Sequence, residues 1–428
     1  MVSPVGGRAV GAGASVAVGE SVGVEAGGGI LAPLRHGPFR ALAAGRILMF
    51  LGSGLASVAL AFAVLDVTGS LGAVGLVVGA RSVANVALLL LGGVIADRLS
   101  RSLVLRGGCA AAAASQFLLA LALLSGFATL PLMMLLAVLN GAAGAVNLPA
   151  ASALVPQTVP RPLLRPANAV VRVGTHGGMF VGMSAGGVLA GTAGAGWAIA
   201  AGGALFALAG VSFFALRVPT AAPAVAVGGN VLRELREGWT EFTSRSWVVI
   251  IVLAFMVVNA SWSATTAVLG PAIADDTFGR TAWGLLMAAN SAGLLVGGVT
   301  AARWQPSRAL LFGTGLVLLQ TVPLFALAGP SPLPLLFAAM FLAGVAVEQF
   351  SVAWEVSVQE NIPPEKLSRV YSYDALGSFV AMPVGQVAVA PLAASVGPGP
   401  AIVLLACLTL TAVLAALCTP SVRALRRR

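Results

Sequence analysis

The chain is poor in charge: of 428 residues only 9% are Asp, Glu, Lys or Arg. So few ionisable groups cannot coat a soluble globule of this length. Only two histidines are present, and no His/Asp/Glu group has metal-ligand spacing. No glycine-rich loop sits between a strand and a helix, so neither an enzyme nor a bound cofactor is indicated. The three cysteines, Cys109, Cys407 and Cys418, fall in apolar stretches, which argues against a disulfide framework or a zinc site and for small packing residues. Lys366 is the only lysine. We read the arginine excess as genomic codon bias rather than chemistry.

What the chain has is apolar mass, 58% of its residues. About 20 apolar residues make one bilayer crossing, so a chain this long supplies many. Apolar runs bounded by Gly, Pro or charge predict twelve spanning helices. The first six lie near 47–65, 71–95, 103–124, 130–148, 169–189 and 197–216. The second six lie near 247–269, 283–302, 309–327, 333–353, 376–396 and 401–417. The predicted fold is thus an all-α polytopic membrane protein, with two pseudo-symmetric six-helix halves at 41–216 and 247–418. Residues 1–40 are rich in Gly, Ala and Val and predict a disordered, retained cytoplasmic tail. A linker at 217–246 carries an amphipathic stretch, Val231–Phe242, suited to lie at the membrane interface. Residues 419–428 form a basic cytoplasmic tail.

The net charge of +10 is topological. With both termini cytoplasmic, the alternate connections and the tail hold nearly all the arginines outside the spans, and the opposite face holds only Arg280. That asymmetry obeys the positive-inside rule and predicts a multi-pass inner-membrane protein with no nucleic-acid partner. A repeat supports the two halves: Ala84–Arg98 and Ala289–Arg303 match at ten of fifteen positions, each at the cytoplasmic end of a predicted helix. Asp66-Val67-Thr68 and Asp275-Asp276-Thr277 occupy equivalent external loops.

The segment GVIADRLSR, Gly93–Arg101, resembles the loop motif between the second and third helices of the major facilitator superfamily, with Ser100 at a usual glycine. The resemblance covers essentially the whole chain after the tail. It implies twelve helices, alternating access and a conformational latch built from Gly93, Asp97, Arg98, Arg101 and Asp374. In that latch Asp97 docks at the cytoplasmic end of the eleventh helix, where the helix N-terminus favours a carboxylate. Ala302 replaces the aspartate in the second half. The stretch containing Gly178, Gly182, Gly186 and Gly187 is similar to the fifth-helix glycine motif of the exporter branch, although Met183 stands at its proline. The linker is similar to that of siderophore and macrolide efflux proteins. The arginine motif of the fourth helix is absent. Taken with these similarities, the chain is expected to be a monomeric, proton-coupled exporter of small amphipathic molecules such as drugs or natural products. Alternatives are a dedicated metabolite or siderophore exporter, an importer, or a non-transporting sensor or lipid-handling protein.

Ionisable groups inside a membrane are costly and mark pathways or partners. Arg81, Arg172, His176 and Glu348 are therefore the candidates for proton coupling or an intramembrane ion pair, with Glu348 facing Arg81 or Arg172. Asn85, Asn147, Asn259, Asn290 and Gln386 are candidate polar groups of a cavity, with Gln116 and Gln320 beside them.

Overall fold

The computed structural model describes residues 31–98, 100–216, 239–240, 242–304 and 306–425. They form twelve long helices: α1 Gly37–Thr68, α2 Leu71–Arg98, α3 Arg101–Leu124, α4 Leu130–Thr158, α5 Leu164–Thr192, α6 Ala195–Phe214, α7 Ser246–Asp276, α8 Arg280–Arg303, α9 Ala309–Leu327, α10 Leu333–Asn361, α11 Pro364–Val396 and α12 Pro398–Cys418. Of the disordered tail expected at 1–40, residues 1–30 lie outside the described residues, but Ala32–Arg35 is a 3-10 turn and 37–40 already belong to α1, started by Pro38 in its first turn; the linker at 217–238 and residues 426–428 also lie outside. So do the side chains of Gly93, Asp97, Arg98 and Arg101.

Eleven of the described helices are long and apolar enough to cross a bilayer. The twelfth crossing is α5. It has the length, but Asn168, Arg172, Thr175, His176 and its glycines dilute the apolar run. Continuity demands the crossing, because α4 and α6 both span and only Ala193 and Gly194 separate α5 from α6.

Five expected boundaries move by seven residues or more: the first helix begins at Gly37 rather than 47, the fourth ends at Thr158 rather than 148, the seventh ends at Asp276 rather than 269, and the tenth and eleventh change as follows. The eleventh helix begins at Pro364 rather than residue 376, and the tenth runs to Asn361 rather than 353. Backbone hydrogen bonding does not stop where the apolar run stops, and proline at the first turn is a start signal. Asp374 therefore sits well inside α11 instead of at its tip, and Glu355 becomes a residue of α10.

The halves repeat one packing scheme. In the first, α1 packs on α5 and α6, α2 on α4, and α3 on α4 and α6; in the second, α7 packs on α11 and α12, α8 on α10, and α9 on α10 and α12. Asn85 Nδ2 donates to the Gly141 carbonyl at 3.1 Å, and its repeat counterpart Asn290 donates to the Met340 carbonyl at 2.9 Å. The turns before α6 and α12 match too, each through a glycine at positive φ, Gly194 at 95° and Gly397 at 89°. One element departs from regularity. In α7 the turn Thr265–Leu269 is π-helical, with the Gly270 N–H bonded to the Thr265 carbonyl. Pro271 has no N–H for the Ala267 carbonyl, and the helix widens to accommodate it.

Lipid removes the hydrophobic drive for helix association, so close backbone approach must supply it. Gly178, Gly182 and Gly186 of α5 lie directly on the Ile47, Leu51 and Leu55 carbonyls of α1, where a Cβ would overlap. The four-residue spacing keeps them on one face. The halves meet through α5 on α8 and α2 on α11. Gly187 faces Gly284 across the first contact, and Gly75 faces the Gln386 carbonyl across the second.

Both contacts lie toward the end of the bundle opposite the chain termini, here the far end. Along the face of α8 that carries Gly284, Leu295 is 56% exposed; along the face of α5 that carries Ser184, Val173 is 61% exposed. Stripes buried between the halves at the far end thus lose their cover toward the terminal end. Among the described residues the bundle is closed at the far end and open at the terminal one.

Candidate functional site

The opening leads into a cavity between the halves. On α5, Arg172, His176, Met179 and Met183 recur at i, i+4, i+7 and i+11 on one face; Arg172 and His176 are exposed there, while Met179 and Met183 are half-buried where the α5 backbone meets Gly54 of α1. Facing them from α10 are Glu348, Ser351 and Glu355. Arg172 Nη1 donates to both carboxylate oxygens of Glu355, at 2.9 and 3.0 Å, and this ion pair crosses between the halves. Its side chains are 65% and 42% exposed, as expected of groups lining a wet mouth.

The expected pairing of Glu348 with Arg81 or Arg172 is not present. Arg81 Nε donates to Asn140 Oδ1 at 3.1 Å inside the first half, and Arg172 is taken by Glu355. Two helical turns separate Glu348 from Glu355 on α10. Glu348 instead lies half-buried over Gly297 and Gly298 of α8, with no hydrogen bond or ion pair among the described residues. His176 points into the mouth beside Arg172.

Behind the acidic wall is an aromatic one. Phe255 of α7 and Phe350 of α10 stack with ring centroids 3.8 Å apart, and Trp354 lies 6.3 Å further along and meets Trp247 edge-on. Trp354 Nε1 donates to Asp374 Oδ2 at 3.0 Å. Among the described residues the partner of Asp374 is thus Trp354 in its own half; the expected contacts with the Asp97 loop lie outside them.

The expected cavity amides serve mostly as joints between helices. Asn85 and Asn290 bind carbonyls as above, and Gln386 donates to Ser263 Oγ at 2.7 Å. Asn147 is wholly buried against Gly108 and Cys109 of α3. In an apolar medium an amide is most stable on a neighbouring helix's polar groups, so it turns inward rather than toward the cavity. Asn259 is half-buried. Gln116 and Gln320 are buried.

The far end carries a cluster that reasoning from the sequence missed. Arg280, at the start of α8, donates from Nη1 to Asp66 Oδ2 of α1 at 3.0 Å and from Nε to Asp275 Oδ1 of α7 at 2.6 Å. Its guanidinium lies 5.0 Å from the Phe62 ring centroid. The signal was available: Asp66 and Asp275 occupy equivalent loops, and Arg280 is the lone basic residue of that face. One arginine is gripped by both repeats and ties the halves together.

A family model described as Major Facilitator Superfamily matches residues 42–385, most of the chain. The chain belongs to this superfamily. It is accordingly a secondary transporter moving small molecules across a membrane, and not an enzyme. A relative in Bacillus subtilis, the uncharacterized MFS-type transporter YvqJ, is 25% identical over 285 residues, 64% of this chain and 67% of that one. Among solved structures, the nucleoside transporter NupG matches with a TM-score of 0.73 at 15% identity, over 89% of this chain and 98% of that one. A bacterial homologue of the human lysosomal transporter Spinster, inward-facing and unoccupied, matches with a TM-score of 0.68 at 16% identity over 89% and 92%. At these identities the superfamily structures establish the two-bundle fold.

Proposed function

We propose that the chain is a dedicated, ion-gradient-driven transporter of a small organic metabolite, working by alternating access around the cavity between its halves. The observation that carries this reading is the Arg172–Glu355 pair spanning an open mouth while Arg280 and the glycine contacts hold the far end shut. A mouth lined by ordered charges suits a defined substrate better than a variable one. Both termini face the cytoplasm of the inner membrane in this reading, so the open mouth is cytoplasmic and the Arg280 clamp external. Export of varied drug-like molecules is the second reading, favoured by the apolar wall of Met179, Met183 and Phe255. The fifth-helix glycines are accounted for by packing on α1 and α8 and lend it no support.

Coupling is assigned to Glu348. A carboxylate without a partner in this state, close enough to feel the charges of Arg172 and Glu355, can take up a proton from the open side and release it when the halves rearrange. The loop carboxylate Asp97 is assigned to the latch that closes the cytoplasmic end in the other state. Purified protein in vesicles tests the assignment. Glu348→Gln is expected to fold and insert normally and to lose pH-gradient-driven transport, and wild-type driven transport by that variant rules out the role. Asp97→Asn is expected to insert normally and transport slowly.

A further inference from the structure

The spanning helices are electrically divided between the halves. Seven or more residues in from a helix end, the Arg, His, Asp and Glu residues of the first half are Arg46, Arg81, Arg172 and His176, all basic, and those of the second are Glu348, Glu355 and Asp374, all acidic; one position nearer an end, Arg369 of α11 carries the opposite sign. The first half's only aspartates within its helices, Asp66 and Asp97, stand at helix ends. Random placement would mix the signs, and a proton relay needs no such sorting.

The division is carried to the cavity. Arg172 and His176 project from α5 and Glu348 and Glu355 from α10, and among the described residues the one ion pair that crosses the mouth joins Arg172 to Glu355. Two further groups have no counter-charge. Glu348 has no partner among the described residues, and Arg46 is 7% exposed with its Nε unpartnered. Arg46 lies on the side of α1 that packs on neither α5, which takes Ile47 and Leu51, nor α6, which takes Gly45 and Gly52. The mouth therefore offers a cationic wall in Arg172 and His176 and an opposed anionic wall in Glu355 and Glu348, with half-buried Phe255 behind the acidic side; Phe350, stacked on it, belongs to the core of the second half.

Deepening the transport reading, and resting on it, we infer that the substrate is a zwitterion with an aromatic or aliphatic body, its anionic group held by Arg172 on the first half and its ammonium-type group by Glu355 and Glu348 on the second. Such a molecule replaces the Arg172–Glu355 pair with two equivalent ones, so neither charge is left bare when the halves separate at the mouth or close around it. A purely cationic substrate would strand Arg172, and a purely anionic one would strand Glu355. Leaving a charge unpaired in a drying cavity is what a selective site penalises. The apolar body is matched by half-buried Phe255, and an ammonium near an aromatic face gains from its quadrupole.

The test uses the full chain in nanodiscs and in proteoliposomes, with triplets built on one skeleton: phenylalanine, tryptophan and their dipeptides as zwitterions, the methyl esters as cations, and the N-acetyl derivatives as anions. Thermal shift and counterflow uptake are read for each. The zwitterions are expected to exceed their singly charged partners at least tenfold in affinity. In Arg172→Gln the advantage over the esters is expected to fall to near unity, and in the Glu348→Gln, Glu355→Gln double variant the advantage over the N-acetyl compounds likewise. Glu348→Asp, which keeps the charge, is expected to preserve it, separating a charge requirement from a folding defect. Equal response to esters or N-acetyl compounds in the wild type, or an advantage that survives both sets of substitutions, overturns the charge assignment while leaving transport standing. No response to any triplet in either assay counts against the assignment and the transport reading together.

Discussion

The Trp354–Asp374 bond shows what a single buried carboxyl costs. Asp374 is a carboxyl set inside α11, with the Trp354 indole as its hydrogen-bond donor. Asp374→Asn keeps an acceptor for the indole and removes the charge. It is expected to raise the melting temperature, because a charge inside a spanning helix is costly; a melting temperature below wild type would show that the charged form is the one the fold needs. Trp354→Phe, by contrast, loses a hydrogen bond to a group that is charged at neutral pH, at a cost of about 1.5–3 kcal/mol. The Arg172–Glu355 pair differs because its side chains are 65% and 42% exposed. Exposed pairs contribute about 0–1 kcal/mol, so Glu355→Gln is expected to leave the melting curve nearly unmoved while lowering transport sharply. A matched fall in both would make the pair structural.

At the scale of elements the glycines decide how closely helices lie, and they differ from one another. Gly284 faces Gly187 and the Ser184 carbonyl, so Gly284→Ala overpacks the α5–α8 contact and is expected to cost about 1–3 kcal/mol and to bias the far end open. Gly177, on the same α5, has nothing within 4 Å of an added Cβ. Gly177→Ala is expected to stabilise by up to about 1 kcal/mol through helix propensity alone. Thermal unfolding of the two variants in the same detergent checks the contrast. Asn290→Leu, which removes the joint to Met340, is expected to cost about 0.6–2 kcal/mol.

Twelve elements and their order were legible in the sequence because lipid permits only long apolar helices, and the Ala84/Ala289 repeat revealed the duplication. Helix ends were not legible where charge begins before the helix stops, and Glu355 was lost to that. Partners were not legible either. A sequence names the ionisable residues of a membrane helix but not the face each takes relative to a helix two hundred residues away, and Arg172 found Glu355 rather than Glu348 for that reason.

For the whole molecule, the opposed arrangement of a shut far end and an open terminal end is one of two states that alternating access requires. The tie across the far end is short: Asp66 and Asp275 grip Arg280 from both repeats, and glycine contacts close the backbone beneath it. Loss of that tie should populate the other state. The direct measurement is a spin-label distance distribution across the far end, with labels at Val67 on the first half and Asp276 on the second, in nanodiscs. The account predicts one short population in the resting protein, with a second, longer one appearing in Arg280→Gln and, in the wild type, on addition of transported substrate. A single distance that neither the substitution nor substrate changes would contradict it.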